Sequence, residues 1–207
     1  FHVNHPVLPG YVSSETPAGI ADYSPDKLSI DKAKKLGKGF VYSKRAKRAF
    51  GIESIFLMGS VGSIAYVKDS DMDLWLCYAP ALSTSALALL QEKASSIEKW
   101  ATTLGLEVHF FLMNAEKFKQ GEATPLSSES SGSTQHHLLL EEFYRTALYV
   151  AGRYPVWWLV PPTEENNYQV FVDNLLKQRF IDQHDVIDFG GLEKVPAEEF
   201  LGASFWH

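Results

Sequence analysis

Two aspartates separated by a single residue, Asp71 and Asp73, carry the strongest chemical signal in this sequence. Side chains on a β-strand alternate between its two faces, so both carboxylates point the same way if residues 71–78 form a strand. Two like charges on one face repel each other unless a cation neutralises them, and Mg²⁺ and Mn²⁺ prefer carboxylate oxygen. The spacing therefore predicts a divalent-metal site on one face of a strand.

A third acidic residue lies on the next predicted strand, residues 106–113. Glu107 and His109 share one face of this strand, and its first apolar residues share the other. If the strand pairs beside residues 71–78, Glu107 joins the two aspartates, and three carboxylates can hold two metal ions about 3.5–4 Å apart. We expect His109 to pack near the ions or to support their ligands.

A glycine–serine turn precedes the aspartates and ends the apolar strand predicted over residues 55–58. Gly59 lets the backbone come close to a ligand, and the Ser60 hydroxyl and the following N–H groups can bind phosphate. Ser63 adds a second hydroxyl. Ser70 immediately precedes Asp71, and we expect it to bind the ligand together with these residues. The Gly-Lys-Ser/Thr ending of a Walker A loop is absent, so this is a phosphate cradle of another kind.

Two polar residues of a later predicted helix are further candidates for contact with a phosphate-bearing ligand. Gln135 lies at the start of the helix, where free N–H groups can bind an anion or where the residues simply cap the helix. Arg145 lies one helical turn after Glu141, so it either forms a surface ion pair or faces a phosphate.

The remaining pattern predicts both helices and strands, and we expect an α+β fold. Two domains are predicted: residues 1–52 as an N-terminal arm and helical lead-in, and residues 53–207 as the catalytic core. The other predicted elements are an extended arm over 1–25, a helix within 26–50, a helix from a Ser83 cap to about Leu104, a helix with a buried stripe from Leu140 to Ala151, a strand over 156–160 and a helix over 164–182. The serine- and glycine-rich residues 120–134 predict a mobile loop.

Composition limits the classes of function. The chain has 207 residues, 45% of them hydrophobic and 21% charged, which is enough for a packed core and excludes a disordered chain. A net charge of −6 argues against a nucleic-acid partner. The single cysteine cannot form an internal disulfide, and neither a membrane span nor a signal peptide is predicted. Since the first residue is Phe1, we expect an internal piece of a larger cytoplasmic protein.

The order of these features resembles the polymerase beta-like nucleotidyltransferase superfamily, whose fold is a small mixed sheet flanked by helices. More specifically, the chain resembles the catalytic domain of the bacterial class I adenylate cyclases. The stretches that carry this closer resemblance are Gly132-Ser133-Thr134-Gln135-His136 and Gly202-Ala203-Ser204-Phe205-Trp206.

The resemblance implies conversion of ATP to cyclic AMP and pyrophosphate with two Mg²⁺ or Mn²⁺ ions. Asp71 and Asp73 would bind the metals, and Glu107 would activate the ribose hydroxyl or complete the metal ligands. It also implies a C-terminal regulatory region that responds to a component of the sugar phosphotransferase system. The family continues into a lysine-bearing helical segment where this chain stops, so the core is expected to be truncated at its C-terminal end.

Two other functions remain open at this stage. A nucleotidyltransferase that moves a nucleoside monophosphate onto a separate small-molecule or protein acceptor would use the same metal ligands. A non-catalytic nucleotide-binding regulatory domain could keep the fold without the reaction. The choice of adenine as the base depends on the family resemblance alone.

Overall fold

A computed structural model describes residues 1–43, 50–58, 71–122 and 133–192, with the side chains of Ser133 and Thr134 left out. The chain forms two compact units. The first contains Phe1–Leu112 and Leu148–Gly152, and the second contains Met113–Ala147 and Arg153–His207.

The first unit is built around a small β-sheet. Its elements are helix α1 (Lys27–Leu36), strand β1 (Ile52–Met58), strand β2 (Met72–Tyr78), helix α2 (Thr84–Thr103), strand β3 (Val108–Met113) and strand β4 (Leu148–Gly152). The strand order is β3-β2-β1-β4, and β1 runs antiparallel to both β2 and β4. Helices and a small sheet in one chain confirm the predicted α+β class.

One face of this sheet packs on a hydrophobic core. The buried residues of the core are Ile20, Ile52, Ile55, Leu76, Leu90 and Ala151. Leu74 of β2 and Phe110 and Leu112 of β3 pack against it. Because strand side chains alternate, Asp71, Asp73, Glu107 and His109 belong to the opposite face, as the sequence predicts.

Helix α2 begins and ends where the sequence predicts. The Ser83 side chain accepts a hydrogen bond from the N–H of Ala86 at 3.2 Å and caps the first turn. After the last turn, Gly105 adopts a φ of +75°, a left-handed conformation that ends helices and favours glycine. The N–H of Leu106 then donates to the carbonyl of Ala101 at 3.1 Å, so the chain turns directly into β3.

The N-terminal arm has no helix over residues 1–25, as predicted, but turns at residues 6–10 and 14–16 bend it, so it is not extended throughout. Ile20 forms a bridge to Ile52 at the start of β1. Lys93 of α2 is only 2% exposed, and its Nζ donates to the Asn4 side-chain oxygen at 3.1 Å. This hydrogen bond ties the arm to the middle of α2.

Strand β3 lies at one edge of the sheet, and α2 protects its backbone. The N–H of Phe110 donates to Glu98 Oε1 of α2 at 2.7 Å.

We expect Glu98→Leu to lower the free energy of unfolding by about 1–3 kcal/mol, because the partly buried N–H of Phe110 loses its acceptor. Glu98→Gln keeps an acceptor oxygen and should cost clearly less. Urea unfolding of the two variants checks this, and equal losses would show that the hydrogen bond is not the cause.

The second unit is formed mostly by helices. Its elements are helix α3 (Ala115–Lys119), helix α4 (Ser133–Thr146), strand β5 (Tyr154–Pro155), two 3₁₀ helices (Val156–Leu159 and Pro162–Asn167), helix α5 (Tyr168–Lys177) and strand β6 (Val186–Ile187). β5 and β6 pair in parallel. Over the described residues, none of the helices in either unit is long and apolar enough to cross a membrane.

Two predicted elements are wrong in this part of the chain. The helix expected to continue to Ala151 ends at Thr146, and residues 148–152 form β4, because pairing with β1 satisfies their backbone groups. The strand expected over residues 156–160 is a 3₁₀ helix instead. This turn brings the ring of Trp157 onto Tyr144, with ring centroids 4.6 Å apart and planes 9° from parallel.

Buried tyrosine hydroxyls hold the segment after β6 in place. Tyr168 donates to Asp188 Oδ1 at 2.6 Å, and Tyr144 donates to the Gly190 carbonyl at 2.5 Å. Lys119 Nζ donates to the other oxygen of Asp188 at 2.7 Å. Burial raises the pKa of both tyrosines well above the ordinary value, so the two hydroxyls keep their protons and continue to donate in alkaline solution.

Candidate functional site

The aspartate pair lies where one sheet face opens from the interior to solvent. Trp75 and Cys77 continue the same face of β2 and are buried, at 1% and 0% exposure. Asp73 lies opposite Met58 of β1 and is partly buried, and Asp71 precedes β2 and is exposed. The carboxylates can therefore contact a ligand from solution while the buried residues that follow hold the strand in place.

Burial raises the pKa of the Cys77 thiol, so this cysteine is not a reactive group of the site.

The start of β2 lies directly beside the start of β3. The N–H of Met72 donates to the carbonyl of Glu107 at 2.9 Å. This backbone hydrogen bond brings residue 71 next to residue 107, so the two strands are neighbours, which is the condition for Glu107 to lie beside the aspartates.

Side chains from the two strands converge at this point. Asp71, Glu107 and His109 each offer a ligand atom, and these atoms lie within 4.8 Å of one another. Glu107 Oε1 is 3.5 Å from His109 Nε2. We refer to these three residues as the acid–histidine cluster.

The donor set of the acid–histidine cluster fits a divalent cation. Two carboxylates supply the hard oxygen ligands that Mg²⁺ and Mn²⁺ prefer, and the imidazole nitrogen is a common ligand of first-row transition ions. Among the residues that the structure describes, no other three His, Cys, Asp or Glu side chains lie close enough to share an ion. Asp73 does not belong to the cluster. The role of Asp73 stays a prediction.

His109 lies close to Asp71 and Glu107, as the expectation that it packs near the ions requires. The signal was present in the spacing, since Glu107 and His109 are two residues apart on a predicted strand and therefore share a face. What could not be read from the spacing was how close Asp71 would come to both of them, because that depends on the register of β2 against β3.

An open surface depression of about 440 Å³ lies between the end of α2 and the start of β3. Glu107 and His109 line it together with Lys99 and Thr102 of α2. Glu107 and His109 therefore face solvent across this depression, whereas Asp71 does not line it.

The predicted phosphate cradle cannot be compared with the structure. Gly59, Ser60, Ser63 and Ser70 lie outside the described residues, so their roles stay predictions.

Gln135 and Arg145 lie on α4, in the second unit, whereas the acid–histidine cluster belongs to the first. Arg145 Nε is 3.0 Å from Glu141 Oε1, so the surface ion pair considered from the sequence is present. Gln135 lies in the first turn and is exposed. Gln135 and Arg145 are ten residues apart, which is about 15 Å along the helix axis. The N-terminal end of the helix, where Gln135 lies, is the end whose dipole attracts an anion. Contact of either residue with a nucleotide stays a prediction.

Residues 1–158 match the family described as the adenylate cyclase NT domain. The chain is 39% identical over 207 residues to the adenylate cyclases of Salmonella typhimurium (strain LT2) and Escherichia coli (strain K12). It is 37% identical over the same length to the adenylate cyclase of Yersinia pestis. Each match covers 99% of this chain and 24% of the relative, so the chain spans about a quarter of the length of these proteins.

A solved structure described as a toxin–antitoxin with AMP-PNP also matches, over 63% of this chain and 82% of that chain. The two are 17% identical with a TM-score of 0.29, a similarity too low to support an argument about function or fold.

Proposed function

We propose that this chain, which belongs to the adenylate cyclase N-terminal domain family, carries the site that converts ATP to 3′,5′-cyclic AMP and pyrophosphate. The observation that carries this proposal is the convergence of Asp71 and Glu107 from neighbouring strands, within the residues that match the family. Two carboxylates brought together at the solvent-facing end of a sheet are suited to phosphoryl chemistry that depends on divalent cations.

The reaction requires one bond to form and one to break at the α-phosphorus of ATP. The ribose 3′-oxygen forms a bond to this phosphorus, and the bond from the phosphorus to the bridging oxygen of the β-phosphate breaks. Pyrophosphate leaves with that electron pair, and the proton of the 3′-hydroxyl passes to a base. Most of the rate acceleration in such reactions comes from positioning and charge stabilisation.

Asp71, Asp73 and Glu107 are proposed to bind the divalent cations, two Mg²⁺ or Mn²⁺ ions. When bound, such ions would polarise the attacking hydroxyl and neutralise charge on the phosphates. Asp71 and Asp73 bind from one face of β2, and Glu107 either completes the ligand set or accepts the hydroxyl proton. The exposure of Asp71 and Glu107 supports these roles, because both carboxylates can reach a ligand without a change of the sheet.

The triphosphate is proposed to contact Gly59, Ser60, Ser63 and Ser70, with Gln135 and Arg145 as further ligands. Support comes from their residue types, since backbone N–H groups, hydroxyls, an amide and a guanidinium all donate hydrogen bonds to phosphate oxygens. We also propose that the protein lies in the cytoplasm. The proposal further includes a C-terminal regulatory region, which a component of the sugar phosphotransferase system regulates. The greater length of the relatives is compatible with such a region.

Product analysis tests the proposed reaction. ATP and Mn²⁺ are incubated with the 207-residue chain, and also with a chimera in which this chain replaces the matching segment of the E. coli relative. We expect cyclic AMP and pyrophosphate in equal amounts from the chimera. A folded chimera that forms no cyclic AMP would refute the cyclase reaction. If a supplied acceptor becomes labelled with AMP instead, the chain is a nucleotidyltransferase.

A further inference from the structure

We propose that His109 is a direct metal ligand beside Asp71 and Glu107, and that it makes this site bind Mn²⁺ in preference to Mg²⁺. This inference deepens the proposed function, because it concerns the same metal site. It adds a nitrogen ligand to a site otherwise expected to consist of carboxylates.

The distances in the acid–histidine cluster agree with a shared ion. Ligand bonds of about 2.1 Å place two donors about 3 Å apart when they are at right angles, and about 4.2 Å apart when they are opposite. The 3.5 Å between Glu107 Oε1 and His109 Nε2 lies between these limits. All three ligand atoms lie within 4.8 Å of one another, so adjustments of about half an ångström complete the geometry.

The side chains have the freedom to make this adjustment. The side chain of His109 is 45% exposed and that of Glu107 is 65% exposed, so neither is held by close packing. Their Cα positions, in contrast, are held by β3 and by the hydrogen bond from Met72 N–H to the Glu107 carbonyl. The backbone therefore keeps the three residues together while the side chains remain able to close around an ion.

The chemistry of the three donors explains the expected preference. Mg²⁺ favours six oxygen ligands in near-ideal octahedral geometry and keeps several waters. Imidazole is a softer ligand that first-row transition ions accept more readily, whereas both kinds of ion accept carboxylates. A site with one nitrogen and two carboxylates should therefore favour Mn²⁺, and a site with carboxylates alone should discriminate less.

A simple ion pair between His109 and Glu107 is the other explanation of their contact. Exposed pairs of this kind contribute about 0–1 kcal/mol and require no metal. The two explanations differ in what they predict for bound Mn²⁺, since only the ligand role places a nitrogen atom on the ion.

Electron paramagnetic resonance with Mn²⁺ as the probe tests the ligand role. Mn²⁺ is titrated into the 207-residue chain, and the loss of the free-ion signal gives the affinity. Pulsed measurements on the bound ion should show coupling to ¹⁴N in the unaltered chain and none in His109→Gln. We expect His109→Gln to weaken Mn²⁺ binding about tenfold or more, and binding of Mg²⁺, measured by competition, to change much less.

His184→Gln is the matched control, since His184 is an exposed histidine of the second unit. It should leave both the affinity and the ¹⁴N coupling unchanged, and circular dichroism should show that both variants are folded. The inference is overturned if the unaltered chain binds no Mn²⁺, if the bound ion shows no ¹⁴N coupling, or if His109→Gln leaves that coupling in place.

These readouts separate the inference from the proposed function. Cyclic AMP formation by a chain whose Mn²⁺ shows no ¹⁴N coupling would keep the function and overturn the role of His109. Nitrogen-coupled Mn²⁺ in a chimera that forms no cyclic AMP would support the ligand and refute the cyclase reaction.

Discussion

Asp71→Asn should lower the rate of cyclic AMP formation about a thousandfold, which corresponds to a loss of about 4 kcal/mol of transition-state stabilisation. Asparagine keeps the size and one oxygen of the side chain but removes the negative charge that attracts the cation. Asp71 is exposed and precedes β2, so the substitution should leave the free energy of unfolding nearly unchanged. A large loss of activity without a loss of stability would assign Asp71 to the chemistry.

The measurement compares initial rates of cyclic AMP and pyrophosphate formation in the chimera, with urea unfolding as the test of stability. Asp31→Asn is the matched control, because Asp31 is a surface aspartate of the same unit whose side chain is 48% exposed. Asp31→Asn also replaces an aspartate by asparagine, but at a position far in sequence from the proposed metal ligands, so this variant should retain full activity. If Asp71→Asn kept activity within a few-fold of the unaltered protein, Asp71 would not be a metal ligand.

Gly152→Ala should lower the free energy of unfolding by more than about 3 kcal/mol. Gly152 ends β4 with a φ of +105°, a backbone conformation that residues with a Cβ rarely adopt. A Cβ at this position would also lie 2.2 Å from the carbonyl oxygen of Glu53 and 2.6 Å from the Cα of Ser54, both in β1. These are backbone atoms in a paired strand, so neither can move aside cheaply.

Gly39→Ala separates the two causes of this loss. Gly39 has a φ of +89°, and a Cβ placed there meets nothing within 4 Å. Both substitutions reduce the entropy of the unfolded chain by the same amount, so they differ chiefly in the collision with β1. We expect Gly39→Ala to cost about 1 kcal/mol or less in urea unfolding. Equal losses in the two variants would mean that the contact between β4 and β1 is looser than the structure shows.

The acidic face of the sheet could be predicted because it depends on local geometry. A period of two separates Asp71 and Asp73 from Leu74 and Leu76 whatever the strand is packed against. The same reasoning separates Glu107 and His109 from Phe110. The cap of α2 at Ser83 and its end near Gly105 were also predicted correctly, since both depend on neighbouring residues alone.

The segment from Ala147 to Val160 shows where local patterns were insufficient. Leu148 and Ala151 continue the helical stripe of α4 in sequence, yet they lie in β4 because the free edge of β1 offers backbone partners. The apolar run Val156–Val160 fits a strand or a helix equally well by periodicity. It forms a 3₁₀ helix, in which Val156 is fully buried and Trp157 stacks on Tyr144.

The sequence by itself determined the α+β class, the face on which the acidic residues lie and, through Asp71, Asp73 and Glu107, the kind of chemistry to expect. These follow from residue types and from the fixed geometry of strands and helix ends. Only the tertiary structure decided that β2 and β3 align so that Asp71, Glu107 and His109 converge, and that residues 148–152 complete the sheet. Both outcomes depend on pairing between segments far apart in sequence. The hydrophobic pattern fixes which face of each strand is buried, but it does not say which segment pairs with which or which residues lie opposite each other.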